Sequence, residues 1–191
     1  MSYSLSKRFL DLSLAGAAVA LLLLPAAVLA LLVRLTSPGP ALYWSDRVGR
    51  HNRIFRMPKF RSMRLGTPAV ATHLLTDPQA CLTPIGSFLR KSSLDELPQL
   101  WSIVIGDMSF VGPRPALYNQ HDLIALRTKR GVHELLPGLT GWAQVNGRDD
   151  VPIAEKVELD SEYLQRRTFW LDLRILWLTV IKVLLREGVS H

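Results

Sequence analysis

The N-terminal part of the chain carries an uninterrupted run of apolar residues. From Leu12 to Val33 there are 22 residues without a formal charge, enough for a helix to cross the roughly 30 Å core of a bilayer. Pro25 lies just past the middle of this run, where it removes a backbone hydrogen bond and clashes with the preceding turn. Lysines and arginines flank both ends of the run. The positive-inside bias therefore indicates no direction of crossing.

Two arrangements of this segment fit the pattern. A break at Pro25 gives two arms of about 13 residues or fewer, roughly 20 Å each, which dip into the bilayer and return to the same face. A single span with a kink at Pro25 fits the hydropathy equally well. A cleaved signal peptide fits less well, because its apolar run is usually about 7–15 residues long. We expect residues 1–36 to form a re-entrant membrane helix broken at Pro25.

A second apolar pattern occupies the C-terminal part, from Thr168 to Glu187. Apolar residues recur there at intervals of three and four, and Gly188 supplies a stop. Trp170 and Trp177 lie among cationic residues, a combination typical of helices at the level of the lipid headgroups. A buried core helix fits the pattern equally well. We expect an amphipathic interfacial helix that helps to seat the domain on a membrane.

The middle of the chain predicts short elements joined by structured loops. The segments 41–44 and 53–57 read as the strands of a small β-hairpin, and residues 65–80 read as a loop. Residues 83–108 predict helices with Leu89, Leu94 and Leu97 facing a core, and Pro98 as the first residue of a helix through about Ile105. Further prolines and glycines mark the connections that follow as loops: Pro113, Pro115, Pro137, Gly138, Gly141 and Gly147. The predicted fold class is α+β and mostly helical.

Composition adds a strong positive charge to this picture. The chain has 191 residues, enough for one domain with a core, and a formal net charge of +7. Such an excess suits nucleic acid, an anionic membrane surface or a phosphorylated substrate, and does not choose among them. Cys81 is the one cysteine, which excludes an intramolecular disulfide and a cysteine-only zinc site. The five histidines are scattered, and the motifs GxxxxGK[ST], GxGxxG and GxSxG are absent.

Two adjacent acids, Asp95 and Glu96, stand out in this basic chain. Neighbouring residues on a helix point about 100° apart, so the pair does not form a facing dyad that shares one proton. A division of labour is more plausible, with one acid reacting and the other holding a metal ion. Mg²⁺ suits such a site, because it takes one or two carboxylates together with substrate phosphates and water. A solvated helix face is the plain alternative for an isolated acidic pair.

Cations near this pair favour a phosphate-binding site. Arg114 stands between two prolines in "GPRP", a stiff mount for a guanidinium that grips phosphate with two hydrogen bonds. Other basic candidates for binding a phosphorylated substrate lie in short motifs elsewhere: Lys59, Arg61, Arg90 and Arg148. A nucleic-acid surface is the alternative, but the sequence shows no recognition helix or stacking module. We therefore expect a substrate at the membrane and no nucleic acid.

Five sequence motifs in one order carry a resemblance to a known family. The chain resembles the small monotopic bacterial sugar transferases, which are polyprenyl-phosphate phosphoglycosyl transferases. The motifs are "KRFLDL", "RVGRHNRIFRMPKFRSM", "GSFLRKSSLDELPQLWSIVIGDMSFVGPRP", "PGLTGWAQVNGR" and "DSEYLQRRTFWLDLRIL". They run from Lys7 to Leu176, and the "LDELPQL…GDMSFVGPRP" block is highly specific. The length is similar to the minimal catalytic unit of the family.

The resemblance implies a reaction in two steps. A UDP-sugar gives its sugar 1-phosphate to undecaprenyl phosphate and releases UMP, the first membrane step in making a bacterial glycoconjugate. It implies that Asp95 is the nucleophile and forms a covalent phospho-sugar adduct. Glu96 matches the acid associated with Mg²⁺, and Asp95 adjoins the same ion. Arg114 and Arg90 are expected to hold phosphate oxygens.

Other residues match family motifs with roles that the resemblance leaves open. Gln144, Asn146, Arg148 and Asp160 are further candidates for substrate binding. The family places the catalytic domain, here residues 37–191, on the cytoplasmic face of the bacterial inner membrane. This chain departs from the family at the helix break, where Leu24 stands in place of the frequent serine before Pro25.

Two alternatives to the transferase stay open at the level of sequence. A basic membrane module that binds anionic lipid or nucleic acid would consume no nucleotide sugar. A membrane-anchored Mg²⁺ hydrolase that uses Asp95 would release free sugar phosphate. The sequence also leaves open which sugar is transferred, and whether the chain forms a homodimer.

Overall fold

A computed structural model describes residues 3–70, 75–147 and 151–185 of the chain. Within these ranges the fold is mostly helical, as predicted, with two small two-stranded sheets. The elements in chain order are α1 (Tyr3–Thr36), β1 (Leu42–Val48), β2 (Ile54–Phe60), α2 (Gly86–Lys91), a 3₁₀ helix (Leu94–Gln99), α3 (Leu100–Ile105), β3 (Ser109–Val111), α4 (His121–Lys129), β4 (Gly138–Thr140), α5 (Trp142–Asn146), α6 (Ile153–Arg166) and α7 (Phe169–Leu185). Short 3₁₀ turns lie at Arg50–Asn52 and Val132–Glu134.

Helix α1 is long, apolar and continuous. Its 34 residues form, within the described ranges, the one helix whose length and composition suffice to cross a membrane. Most of its leucines are exposed, among them Leu21 and Leu24. Pro25 lies inside the helix, so the predicted break into two arms is not confirmed. The helix indicates membrane association.

Both halves of α1 pack against the rest of the protein. Before Pro25, Ala15 is buried with Met57 and Ile103 in one hydrophobic cluster. After it, Leu29 and Val33 are buried in another cluster, with side chains from β2 and α2. The buried positions recur at helical spacing on one side of α1, which leaves the opposite side apolar and exposed.

Polar contacts fix the start of α1 on the same body. The Lys7 ammonium lies 2.9 Å from the Asp172 carboxylate of α7 and donates to a backbone carbonyl of β3. Arg8 donates to the carbonyls of Ile103 and Val104, which lie at the C-terminal end of α3. The buried Asp11 carboxylate accepts hydrogen bonds from the Ser109 hydroxyl and the next backbone N–H. The "KRFLDL" motif therefore attaches the membrane helix to the domain.

The predicted β-hairpin is confirmed with longer strands. β1 and β2 pair antiparallel, with Leu42 opposite Phe60 and Tyr43 opposite Lys59. Side chains alternate between the two faces of a strand. Tyr43, Lys59 and Arg47 therefore share one face of the hairpin, and this face also carries Met57, which packs against α3.

Residues 83–108 form the predicted helical run, with one difference in detail. Leu89 is fully buried, and Leu94 and Leu97 pack against the same cluster, as expected. Pro98 lies inside the 3₁₀ helix, and α3 begins at Leu100 and ends at Ile105. In the loop predicted for 65–80, the residues that the structure describes contain no helix or strand.

Short elements replace part of the loop predicted after residue 108. β3 and β4 pair in parallel, and a glycine contact makes this possible, because a Cβ on Gly138 would lie 2.1 Å from the Gly112 backbone nitrogen. Helix α5 lies between Gly141 and Gly147, where only a loop is predicted. Its five residues are too few to show a helical period.

The C-terminal helix α7 has one buried and one exposed side. Asp172 and Ile175 are fully buried, whereas Trp170 and Trp177 are 77% and 65% exposed. The helix thus contributes to the core and also presents tryptophans at the surface. Its predicted end at Glu187 and the stop at Gly188 lie outside the described residues.

Candidate active site

Asp95 and Glu96 lie on the 3₁₀ helix between α2 and α3. Ser93 directly precedes this helix with a φ of 55°, in the left-handed region, and the Glu96 N–H donates to its carbonyl. A 3₁₀ helix turns about 120° per residue, so the two acids point in different directions. The 3₁₀ helix packs against β2, which brings Lys59 to the acids.

Glu96 is bound by two cations. The Lys59 ammonium and the Arg114 guanidinium each lie 2.7 Å from its Oε1 atom. Burial alone would raise the pKa of Glu96, but the charges of Arg114 and Lys59 outweigh it and hold the pKa below its ordinary value. Burial also lowers the pKa of Lys59, and Glu96 opposes this effect. Glu96 is therefore a permanent anion with fixed partners.

Asp95 differs from its neighbour in environment. It is 8% exposed, and burial raises the pKa of its carboxyl above the ordinary value of 3.8. The charges of Lys59, Arg90 and Arg114 act in the opposite direction, and that of Glu96 adds to the rise. Sequence reasoning placed these cations near the acids, and the structure brings them together. Asp95 is thus the more basic carboxylate in a cationic setting.

The loop that carries Arg114 is held by two other arginines. Prolines on both sides restrict its backbone. Arg127 of α4 donates to the carbonyl of Arg114 at 2.8 Å, and Arg47 of β1 donates to that of Pro115 at 3.1 Å. The Arg114 side chain itself is 48% exposed. Its guanidinium is therefore accessible to a ligand while its backbone is fixed.

Asp160 of α6 contacts the loop of Arg114 indirectly, through Arg127. Its carboxylate is buried and accepts hydrogen bonds from the Nε and Nη2 atoms of Arg127, at 2.9 Å and 2.7 Å. Burial raises the pKa of Asp160, and Arg127 opposes the rise. The structure therefore pairs this predicted substrate-binding residue with a protein cation. Its contact with substrate stays a prediction.

Arg61 has partners at the end of α1. Its guanidinium donates to the carbonyls of Ser37 and Pro38 and to the Ser37 hydroxyl, and the residue is buried. These contacts join the membrane helix to the strand that carries Lys59. The structure does not bring the Arg61 guanidinium into contact with Glu96, and its role in substrate binding stays a prediction.

The remaining candidates lie on or next to α5. Gln144 has a buried side-chain amide without a hydrogen-bond partner, and its Oε1 would lie 2.8 Å from a Cβ on Gly141. Asn146 is exposed and donates to the carbonyl of Trp142. Arg148 lies outside the described residues. Substrate contacts of these three residues stay predictions.

The structure adds two arginines to the site that the sequence did not predict, Arg47 and Arg127. Arg47 interacts electrostatically with both Arg114 and Glu96. Burial, together with the charge of Arg114, lowers the pKa of Arg47 to about 10. Its place on the same hairpin face as Lys59 is the signal that predicts it. Arg127 is 33 residues from its partner Asp160, and no pattern in the sequence indicates this pairing.

Positive charge exceeds negative charge around the acids. Four cations, at positions 47, 59, 90 and 114, act on the two carboxylates. Among the described residues, with both acids ionised, this leaves a formal excess of two positive charges in a partly buried site. Such an excess favours binding of an anion that carries about two charges, such as a diphosphate.

The donor set of the site matches a metal ion held mainly by substrate. In the described ranges no group of three or more His, Cys, Asp or Glu side chains lies together to hold a metal. Glu96 uses Oε1 for Lys59 and Arg114, which leaves Oε2 and the Asp95 carboxylate as oxygen donors. One or two carboxylates with substrate phosphates suit Mg²⁺. The residues therefore fit Mg²⁺ that arrives with a phosphorylated ligand.

Comparison with known proteins gives a consistent set of similarities. The family described as "Bacterial sugar transferase" matches residues 2–186. The chain is 37% identical over 202 residues to galactosyl transferase CpsE of Streptococcus agalactiae serotype III, which covers 99% of this chain and 44% of that protein. It is 44% identical over 161 residues to the uncharacterized sugar transferase EpsL of Bacillus subtilis, covering 83% and 77%.

A third relative has a name that specifies its substrates. The chain is 42% identical over 160 residues to the UDP-glucose:undecaprenyl-phosphate glucose-1-phosphate transferase of Xanthomonas campestris pv. campestris, covering 80% of this chain and 33% of that protein. The chain thus spans about a third to three quarters of the length of these three relatives.

Proposed function

We propose that this chain, which belongs to the bacterial sugar transferase family, transfers a sugar 1-phosphate from a UDP-sugar to undecaprenyl phosphate and releases UMP. The product is an undecaprenyl diphosphate sugar, the first membrane intermediate of a bacterial glycoconjugate. Relatives named for UDP-glucose and for undecaprenyl phosphate support this choice of substrates. A UDP-sugar and a lipid phosphate are both anions, which suits the charge of the site.

The observation that carries the proposal is the contrast between Asp95 and Glu96. Lys59 and Arg114 bind Glu96 at 2.7 Å, so the ionised carboxylate of Glu96 is already paired with two cations. Asp95 is more basic and adjoins the same cations, and among the described residues it has no side-chain hydrogen bond of the kind that fixes Glu96. One acid thus positions the cations, and the other is available as a nucleophile.

In the first step, Asp95 attacks the β-phosphorus of the UDP-sugar. A bond forms between Oδ of Asp95 and phosphorus, and the bond from phosphorus to the oxygen that bridges the two phosphates breaks. UMP leaves with that oxygen and its electron pair. A carboxylate and a diphosphate repel each other, so Arg114, Arg90 and Arg47 are needed to stabilise the charge that develops on the phosphate oxygens.

In the second step, a phosphate oxygen of the lipid attacks the same phosphorus. The bond from phosphorus to Asp95 breaks, and the free carboxylate is restored. Two successive displacements let a soluble donor and a lipid acceptor use one site in turn. The expected kinetics are therefore ping-pong.

We assign Glu96 and Asp95 as the protein oxygens that would hold Mg²⁺. When bound, the ion supplies charge neutralisation at the diphosphate. Lys59 and Arg114 keep Glu96 ionised and in place for this contact, because both bind its Oε1 atom.

The contacts of α1 support a monotopic placement in the bacterial inner membrane. Residues on both sides of Pro25 pack against the same domain, so both ends of the helix lie near one face of the bilayer. The exposed leucines around Pro25 are then the deepest in the lipid. We place the catalytic domain on the cytoplasmic face, where UDP-sugars are made.

The test is single-turnover reaction of the full chain in detergent or nanodiscs with a panel of UDP-sugars and Mg²⁺. Without lipid acceptor, we expect UMP release up to one equivalent and a mass increase of one sugar phosphate on the intact protein. D95N and D95A should lower UMP release by about three orders of magnitude or more. The D122N variant at the exposed Asp122 should react like wild type.

Three outcomes separate the alternatives. Full activity of D95N, or turnover without a mass change at any time, would refute the nucleophile. Free sugar phosphate in place of lipid-linked product would indicate a hydrolase. Failure of every UDP-sugar to release UMP, together with salt-dependent lipid binding, would indicate a basic membrane module.

A further inference from the structure

A buried ion pair connects helix α6 to the loop that carries Arg114. Asp160 is 1% exposed and binds Arg127 through two hydrogen bonds to one carboxylate oxygen. The third guanidinium nitrogen of Arg127, Nη1, donates to the backbone carbonyl of Arg114 at 2.8 Å. The carboxylate of Asp160 thus orients the guanidinium that holds the loop.

The backbone of the Arg114 loop can rotate little, and the hydrogen bond from Arg127 restricts the rotation that is left. Pro113 and Pro115 fix their own φ angles, and the residue before a proline is restricted to extended conformations. The direction of the Arg114 carbonyl therefore sets the direction of its Cα–Cβ bond. That side chain reaches Oε1 of Glu96 at 2.7 Å. A small rotation at the carbonyl displaces the guanidinium by a larger distance.

We infer that Asp160 and Arg127 are positioning residues that act on the substrate diphosphate through Arg114. This inference rests on the proposed function, and it gives Asp160 a role without a substrate contact. Misplacement of a catalytic group by about 1 Å can lower a rate by about 100-fold. The buried pair keeps the guanidinium within that tolerance.

The backbone contact of Arg47 with Pro115 is a second, weaker support for the same loop. At 3.1 Å it is longer than the contact of Arg127. Loss of the Arg127 contact therefore loosens the loop without releasing it, and we expect a partial loss of binding.

The experiment measures UDP affinity by calorimetry in the presence of Mg²⁺, together with kcat and KM for UMP release. R114A should weaken UDP binding by about tenfold, the effect of one charge-assisted hydrogen bond, and D160N should weaken it by a smaller factor of about threefold. In the R114A background, D160N should have no further effect on UDP affinity, because Asp160 acts through Arg114. The exposed Arg130–Glu158 pair joins the end of α4 to α6, and E158Q, the matched control, should bind UDP like wild type.

A second variant separates positioning from stability. R127M/D160L replaces the buried pair with apolar side chains of similar size, a change that often keeps or raises stability. It also removes the hydrogen bond to the Arg114 carbonyl. We expect its melting temperature to stay near that of wild type, and its UDP affinity to fall below that of wild type but less far than that of R114A, because Arg47 still holds the loop at Pro115.

The outcomes separate this inference from the proposed function. If UDP binds R127M/D160L as tightly as wild type, or if D160N weakens binding equally with and without Arg114, the positioning role is wrong. If UDP does not bind the wild-type chain, the proposed function fails, and the role of Arg114 fails with it.

Discussion

At the scale of single residues, the two adjacent acids have opposite ionisation behaviour for different reasons. Glu96 stays ionised because Arg114 and Lys59 outweigh its burial. Asp95 takes up a proton more readily because burial outweighs the cations around it. Position on a 3₁₀ helix separates their side chains, so each acid meets a different environment. Adjacent residues can therefore have separate tasks.

The raised pKa of Asp95 predicts an acid limit to the reaction. In the proposed mechanism the nucleophile is the ionised Asp95 carboxylate, so kcat/KM for UMP release should fall as the pH drops through a pKa above 3.8. Arg90 lowers this pKa by its charge. R90Q should therefore move the acid limb of the pH profile to higher pH, whatever its effect on the maximum rate. An acid limb that moves to lower pH in R90Q would contradict the assignment of the limb to Asp95.

The proximity of site residues was predictable from sequence where a motif concentrates them, and not where the fold pairs distant side chains. The "DE" pair, the proline-flanked Arg114 and Lys59 are placed together, as the basic and acidic motifs indicate. Asp160 also lies in a motif, but its partner Arg127 lies outside all of the motifs named above. A side chain's partner depends on tertiary packing, which spacing along one chain does not specify.

At the scale of elements, the start of α1 forms a polar junction with the end of the fold. The fully buried Asp172 of α7 accepts hydrogen bonds from Lys7, Tyr3 and Tyr163. Helix α1 was predicted from its uninterrupted apolar run, and α7 from the spacing of its apolar residues. The contact between them was not, because Lys7 and Asp172 are 165 residues apart. Hydrophobic period identifies the helices, and buried charges fix how they meet.

This junction predicts a large effect of a small change. D172N removes the charge that faces the Lys7 ammonium and leaves that cation in a mostly buried site. Breaking a buried pair in this way lowers the free energy of unfolding by about 3–5 kcal/mol. Thermal or denaturant unfolding in detergent measures it. E158Q breaks an exposed pair and should cost about 1 kcal/mol or less. If D172N and E158Q lower the free energy of unfolding equally, the Lys7–Asp172 junction does not contribute more to stability than an exposed ion pair.

At the scale of the whole molecule, apolar surface and catalytic charge lie on connected elements. α1 leaves most of its leucines exposed, and α7 exposes Trp170 and Trp177. α3 follows the 3₁₀ helix that carries Asp95 and Glu96, and it exposes Trp101 and Ile105. Tryptophans favour the level of the lipid headgroups. The proposed function predicts that a domain seated on these surfaces holds Asp95 near the membrane, within reach of a lipid phosphate.

The packing of α1 predicts that both of its ends are accessible from one side of the membrane. A straight helix of 34 residues is about 51 Å long, well beyond the roughly 30 Å of the bilayer core. Ala15 and Val33 nevertheless pack against one domain, on either side of Pro25. The middle of the helix then lies deepest in the lipid, and neither end crosses to the far side.

Single cysteines test this in a C81S background, with a membrane-impermeant maleimide on sealed vesicles of each orientation. The exposed positions at the two ends, L5C and P40C, should react in the same vesicles. The exposed position at the centre, L23C, should react only after detergent is added, because lipid covers it. Reaction of L5C and P40C in vesicles of opposite orientation would establish a kinked span instead. A spanning helix would have to lose one of its two packing contacts, at Ala15 or at Val33. Loss of such a contact would lower the free energy of unfolding.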